Sequence, residues 1–216
     1  MSSRAMIVVG GGSSTRFGAD KLLIPVAGRA LIVHTIEAVA RHVDRCVVVV
    51  RTEVVEQVEE LLPEVTVTSG GATRTLSEMA GLAALGGDFD LIGIHDAARP
   101  APGSDLVEQL FATADTAGGA VPLIEADSMI LDRKTHRAVA GLRRAQTPQV
   151  FRGPDLMTAY VRAAQTGFEG QDTAEVVMKF TDVVATGVPG DDSNLKVTYR
   201  EDLSTLELIL EERSRT

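Results

Sequence analysis

The run Ala5–Lys21 reads AMIVVGGGSSTRFGADK, and it decides the fold. Five apolar residues, Ala5–Val9, have the composition of a buried strand. Gly10, Gly11 and Gly12 follow at once, and Arg16 and Lys21 stand five positions apart beyond them. Glycine lets a backbone close around a ligand and visit positive φ at little steric cost. A concave run of N–H groups cradles anions, and cations add full charges to those partial ones. The stretch predicts a strand, a turn and an anion site, with the phosphates of a nucleotide as the first candidate ligand. An ordinary strand-to-helix turn reads the same in isolation, so the choice rests on the rest of the chain.

Outward from this run, strand-like and helical patterns alternate. Ile32, Ile36, Val39 and Val43 give a helix one apolar face. Cys46–Val50 reads as a second strand, Val54–Leu62 as a helix ended by Pro63, and Val65–Thr68 as a third strand. A Gly70-Gly71 turn leads into a helix over about Thr75–Leu85, and Leu91–Ile94 is the next strand. Ser104 is placed to cap a helix carrying Val107, Leu110, Phe111 and Ala114, ahead of a strand at Ala120–Ile124. Later come helices over Pro154–Ala164 and Asp172–Met178, a strand over Asp182–Thr186, and a last helix opened by a Thr198–Glu201 capping box. This alternation predicts a three-layer α/β fold with a mostly parallel sheet. Ligands bind such sheets beyond the carboxyl ends of the strands, so the loops at 10–21, 69–75 and 95–101 should line one rim.

The length of 216 residues fits one domain with an elaboration, and the net charge of −9 argues against long nucleic-acid or anionic-membrane surfaces. A small anion needs only a locally basic pocket. The single cysteine, Cys46, lies in an apolar strand and reads as a structural thiol. No run of 18 apolar residues and no signal-peptide pattern occurs, so the expectation is a cytoplasmic protein. From Ala126 to Val150 the rhythm breaks into polar, cationic pieces, which predicts a protruding β-arm. An arm without a core of its own is best ordered against a second chain, which implies a homodimer.

The glycine run is not a P-loop, because no Gly-Lys-Ser/Thr follows it, nor a dinucleotide fingerprint, because Thr15 stands where the third Gly or Ala belongs. That argues against ATPases and NAD-dependent oxidoreductases. The remaining pattern, GG-x-x-x-x-R-x-x-x-x-K after a first strand, resembles the signature of nucleotidyltransferases. An Asp just beyond a buried strand can hold Mg²⁺ beside a triphosphate, and Asp96 occupies that place, with Arg99 three residues on. The string His95-Asp96-Ala97-Ala98-Arg99-Pro100, with Gln146-Thr147-Pro148-Gln149, is similar to the 2-C-methyl-D-erythritol 4-phosphate cytidylyltransferases. Gly70-Gly71-x-x-Arg74-x-x-Ser77 and Asn194-Leu195-Lys196-Val197-Thr198 extend the resemblance over nearly the whole chain. The ribitol-5-phosphate cytidylyltransferases look similar.

The resemblance implies a Rossmann-like nucleotidyltransferase that moves CMP from CTP to a polyol phosphate and releases pyrophosphate. By position, Arg16 and Lys21 would contact the triphosphate and Lys196 the α-phosphate. Gly10, Gly11 and Gly12 would cradle the nucleotide, with Gly71 and Ser77 at the base and ribose and Asp96 near Mg²⁺. Arg99 and Ser128 would serve the acceptor, and in the family the arm crosses a two-fold axis to reach the partner's acceptor site. The departures cluster there. The arm string Asp-Thr-x-Lys is Asp127-Ser128-Met129-Ile130, and the arginine expected seven residues before Gln146 is Val139. Ala72 replaces an acidic residue, Ser14 replaces a glycine, and the string Thr-Asp-Glu/Asp is Gln171-Asp172-Thr173. Methylerythritol phosphate is the expected acceptor. The alternatives are a paralogue using ribitol phosphate or another polyol phosphate, and a nucleotide-binding paralogue without activity.

Overall fold

A computed structural model of the protein describes residues 2–11, 20–126, 130–132 and 134–215. Strand β1 (Arg4–Val9) runs through the middle of an eight-stranded sheet. Its side chains alternate, Ala5 and Ile7 into one helical layer and Met6 and Val8 into the other, all fully buried. A small hairpin, β2 (Pro25–Val26) and β3 (Arg29–Ala30), precedes α1 (Leu31–Ala40) and β4 (Arg45–Val50). Then α2 (Val55–Leu61) leads to β5 (Thr66–Ser69), α3 (Arg74–Leu85) to β6 (Leu91–Asp96), and α4 (Ser104–Ala117) to β7 (Gly119–Glu125). Next come the short strands β8 (Ile130–Leu131), β9 (Ala138–Val139), β10 (Arg143–Ala145) and β11 (Gln149–Arg152). The chain ends with α5 (Gly153–Thr166), α6 (Thr173–Phe180), β12 (Thr186–Pro189) and α7 (Asp202–Ser214).

The sheet order is β10-β7-β11-β6-β1-β4-β5, with β12 also paired to β7. β1 runs parallel to both β4 and β6, β4 to β5, and β12 to β7, while β10 and β11 join antiparallel. Helices α1, α2, α4 and α7 pack on one face through Ile36, Val58, Phe111 and Leu206. Helices α3, α5 and α6 cover the other through Leu82, Leu156 and Val177. This is the expected three-layer α/β fold with a mixed, mostly parallel sheet.

Four local expectations change. Ser104 is the first residue of α4 and not its cap, since Gly103 holds that place and makes no side-chain bond there. The late strand falls at Thr186–Pro189 because pairing with β7 runs from Thr186 to Pro189, while Val184 projects into solvent. The Thr198–Glu201 capping box does not form. Asp202 instead accepts the N–H groups of Thr198 and Tyr199 at 2.6 and 2.8 Å, and the helix starts there. Within the segment expected to form the arm, Arg143–Ala145 pairs with β7, and Gln149–Arg152 with β6 and β7. What lies outside the main sheet is the β8–β9 hairpin, where Ile130 faces Val139 across the ladder. No helix among the described residues is long and apolar enough to cross a membrane.

Candidate active site

The carboxyl ends of β1, β5 and β6 open on a cavity of about 350 Å³. Gly10 and Gly11 follow β1, Gly71 to Thr73 follow β5, Asp96 ends β6, and Lys196 closes the wall from the segment after β12. The described ends of the loop at 10–21 share this rim with the loops at 69–75 and 95–101, as predicted. Gly10 is pinned by its N–H to the Val49 carbonyl at 2.7 Å. A Cβ at Gly10 would come within 2.5 Å of Leu22 Cδ1, and one at Gly71 within 2.4 Å of Leu76 Cβ. Neither residue has positive φ, so crowding against the Leu76 Cβ and backbone, rather than the expected backbone freedom, requires glycine at Gly71, while at Gly10 a side chain would have to displace the tip of Leu22.

Asp96 is the hub of the cavity floor. Its Oδ1 accepts from Arg74 Nη1 at 2.7 Å, and its Oδ2 accepts from Lys196 Nζ at 2.7 Å. Arg99 Nε stands 3.6 Å from the same Oδ2. Burial alone would push this carboxyl up, but Arg74 and Lys196 outweigh it and hold Asp96 well below the usual carboxylate range. Asp96 is the only acidic side chain on the cavity wall among the described residues, and no group of three or more metal-ligating side chains occurs among them. A single carboxylate fits Mg²⁺, which takes one or two carboxylates and fills its shell with phosphate and water. The Lys196 side chain on Oδ2 is 44% exposed, so that oxygen has an exchangeable neighbour.

The loops behind Asp96 are laced together. The fully buried imidazole of His95 meets the Arg99 carbonyl at 2.9 Å through Nε2 and the Thr147 hydroxyl at 3.1 Å through Nδ1. Burial pushes His95 down to about 4, so at neutral pH it is an uncharged brace. The Thr147 hydroxyl accepts the Asp96 N–H at 2.9 Å, and Asn194 donates Nδ2 to the Thr147 carbonyl at 2.8 Å. Arg99 Nη1 donates to the Asn194 carbonyl at 2.8 Å, and Lys21 Nζ to the Val197 carbonyl at 3.0 Å. Lys21 begins a single 3₁₀ turn whose cap, Asp20, accepts from Leu22 N and from Arg51 Nη2 at 2.7 Å. The His-Asp-Ala-Ala-Arg-Pro and Gln-Thr-Pro-Gln strings are thus one hydrogen-bonded unit that presents Asp96 and carries the Lys196 segment.

Of the residues singled out in the sequence, Gly10, Gly11, Lys21, Gly71, Ser77, Asp96 and Lys196 converge on the cavity. Arg99 lies behind Asp96, outside the wall. Gly12, Arg16 and Ser128 lie outside the described residues. The Ser77 hydroxyl donates to the Thr73 carbonyl at 2.8 Å, which ties the turn after β5 to α3.

One residue without an assigned role, Arg74, joins them, and a second, Glu78, lies behind it. Arg74, the first residue of α3, lines the cavity, although a cation at a helix N-terminus opposes the helix dipole. That unfavourable placement was the signal available in the sequence. Its Nε lies 2.9 Å from Glu78 Oε1, one helical turn on, and its Nη1 bonds Asp96. Glu78 is 1% exposed and receives the Thr173 hydroxyl at 3.0 Å and the Tyr160 hydroxyl. Burial pushes Glu78 up, while Arg74 and the two hydroxyl donors favour its ionised form.

Residues 5–212 match the family model described as IspD: 2-C-methyl-D-erythritol 4-phosphate cytidylyltransferase. The chain belongs to this family. A Cereibacter sphaeroides relative, a 2-C-methyl-D-erythritol 4-phosphate cytidylyltransferase, is 36% identical over 95% of this chain and 96% of its own. A Solibacter usitatus enzyme of the same description is 32% identical over 97% and 96%. The IspD fold is matched by 4-diphosphocytidyl-2C-methyl-D-erythritol synthase from Anaerococcus prevotii, with a TM-score of 0.85 and 23% identity over 97% of this chain and 99% of that one. The Thermus thermophilus 2-C-methyl-D-erythritol 4-phosphate cytidylyltransferase superposes with a TM-score of 0.82 and 26% identity, covering 98% of this chain and all of its own.

Proposed function

We propose that this protein joins the CMP moiety of CTP to the phosphate of 2-C-methyl-D-erythritol 4-phosphate, acting as a cytoplasmic homodimer. The observation that carries the reading is the convergence of Lys21, Arg74 and Lys196 with the Gly10–Gly11 turn on one cavity floored by Asp96. An oxygen of the acceptor phosphate attacks the α-phosphorus of CTP, the bond to the β-phosphate oxygen breaks, and pyrophosphate leaves. No protein nucleophile is needed, so the work is positioning two polyanions and stabilising charge as it develops.

In this reading Lys21 and Arg16 hold the triphosphate, and the N–H groups of Gly10 to Gly12 cradle it. Gly71 and Ser77 lie toward the base and ribose. Lys196 leaves Asp96 for the α-phosphate, where negative charge builds up in the transition state. Asp96 would then hold Mg²⁺, which neutralises phosphate charge and polarises the phosphoryl group when bound. Arg99 and Ser128 serve the acceptor, with the hairpin reaching across to a second copy of the chain. Ile130 and Val139, which stand where the resemblance expects a lysine and an arginine, are cross-strand partners, so both losses fall at one point of the hairpin.

Pyrophosphate release with CTP, Mg²⁺ and a panel of polyol phosphates tests the assignment. Methylerythritol phosphate should be the preferred acceptor and CTP should be preferred over ATP, GTP and UTP. Faster turnover of ribitol phosphate would overturn the acceptor, and silence on every acceptor would leave a nucleotide-binding protein. Light scattering at micromolar concentration should give about twice the 22.9 kDa chain mass, and a strict monomer would sink the dimer.

A further inference from the structure

A continuous chain of polar contacts runs from beneath α5 and α6 to the cavity floor. It starts at the Tyr160 and Thr173 hydroxyls, both buried, which grip the two oxygens of Glu78. From Glu78 Oε1 it crosses 2.9 Å to Arg74 Nε, and from Arg74 Nη1 2.7 Å to Asp96 Oδ1. From Asp96 Oδ2 it crosses 2.7 Å to Lys196 Nζ. We propose that Glu78 is a positioning residue for the transfer step, fixing the Asp96 carboxylate through Arg74 and thereby the approach of Lys196. The inference rests on the reading of Lys196 as the group that meets the α-phosphate.

Three physical points carry it. Arg74 Nη1 donates a directed bond to Asp96 Oδ1, whereas Arg74 Nε and Glu78 Oε1 form a close ion pair without hydrogen-bond geometry. Glu78 therefore holds the guanidinium by charge from the side away from Asp96, and two anions place it where one would leave it freer to move. Asp96 Oδ1 is fixed by that guanidinium, and with it the reach of Oδ2 to Lys196. A buried ion pair is a poor device for stability alone, since apolar side chains of similar volume serve as well. The grip of two hydroxyls on a carboxylate 1% exposed therefore points to geometry.

Position 173 makes a relocation experiment possible. Thr173, the first residue of α6, puts its hydroxyl 3.0 Å from the Glu78 carboxylate. An acid at 173 would supply the charge to this point of the core from α6 instead of α3.

The test compares the wild type with Glu78→Gln, with Glu78→Gln combined with Thr173→Glu, and with Tyr160→Phe, using kcat, KM for CTP, and circular dichroism. Lys196 acts in the transition state, so its misplacement should fall on kcat more than on KM. Glu78→Gln removes the charge opposite Arg74 and should lose about tenfold in kcat, with little change in KM. The double variant, with its carboxylate moved to α6, should regain most of that kcat whether or not its melting temperature recovers. A Glu78→Gln protein with wild-type kcat, or a folded double variant as slow as the single one, overturns the proposal. A purely structural role would lower the melting temperature and leave the folded enzyme's kcat alone. If either Glu78 variant fails to fold, Tyr160→Phe decides, because it removes only the restraint on Oε2. A severalfold fall in its kcat supports the proposal and an unchanged kcat overturns it. Wild-type turnover on methylerythritol phosphate is measured alongside, so failure of the assigned reaction is distinguishable from failure of this inference.

Discussion

Replacing Lys196 by alanine separates catalysis from folding. The ammonium lies 2.7 Å from Asp96 Oδ2 on a side chain that is 44% exposed. Solvent screening at that exposure limits the pair's contribution to stability to about 0–1 kcal/mol. Asp96 also keeps Arg74 at 2.7 Å, so the buried carboxylate is not orphaned. For a domain of this size, about 1 kcal/mol moves the melting temperature by only about 2–4 °C. Catalysis should respond far more. Losing one preorganised group aimed at developing charge costs about 10²–10³ in kcat, or about 2.7–4 kcal/mol. Pyrophosphate release at saturating CTP and acceptor gives the first quantity, and a thermal melt by circular dichroism gives the second. Parental turnover in the variant would refute the role of Lys196. A collapse of the melting temperature would instead make it a structural lysine.

Further outcomes test the surroundings of the site. Arg213, on α7, donates to the Pro102 carbonyl at 3.0 Å, to Ser193 Oγ at 2.6 Å and to Asp191 at 3.2 Å, clamping the Lys196 segment to the loop after β6. Arg213→Ala should cost about 1–2 kcal/mol in urea denaturation and lower kcat severalfold; a variant unchanged in both would remove the clamp from the account. The charge of Arg144, on β10, reaches Arg99 and helps burial to lower its pKa. On the proposed acceptor-side role of Arg99, loss of this neighbouring cation in Arg144→Ala should raise KM for the acceptor about tenfold and leave KM for CTP in place, and equal effects on both would refute that role. Burial pushes the Cys46 thiol up to about 12. The unfolded chain releases that proton at lower pH than the fold does, so stability falls as pH rises from the ordinary thiol range toward the folded value. At pH 8 an aromatic disulfide reagent should label the native protein about 10³ times more slowly than the urea-unfolded chain, and comparable rates would show an accessible thiolate.

The first half of the fold was legible because its strands are short and apolar and its helices have one apolar face. Ala5–Val9 and Cys46–Val50 could hardly be anything but buried strands. The return of the chain at β10 and β11 was not legible. Arg143 and Arg144 are exposed on an edge strand of three residues, so polarity hid the pairing with β7. Asp96, Lys21 and Lys196 could be picked out because each sits in a compact local string. Glu78 could not, since Arg74 and Glu78 at i and i+4 read as an ordinary solvated ion pair. Its burial depends on Tyr160 and Thr173, which lie 82 and 95 residues away in sequence. For the glycines the place was legible and the reason was not. Gly71 is set by the distance to Leu76, which only the folded chain reveals.

Asp96 also determines what the cavity refuses. Its cations already have an anion among them, one covalently attached to the floor and held from two sides. An incoming ligand must take the place of an incumbent rather than fill a bare positive hole. A lone sulfate or inorganic phosphate offers one anion against one already seated. A triphosphate offers several at once along the wall from Lys21 to Lys196. The fixed carboxylate should therefore leave the commonest small anions weakly bound, while a chain of phosphates competes for several groups at once.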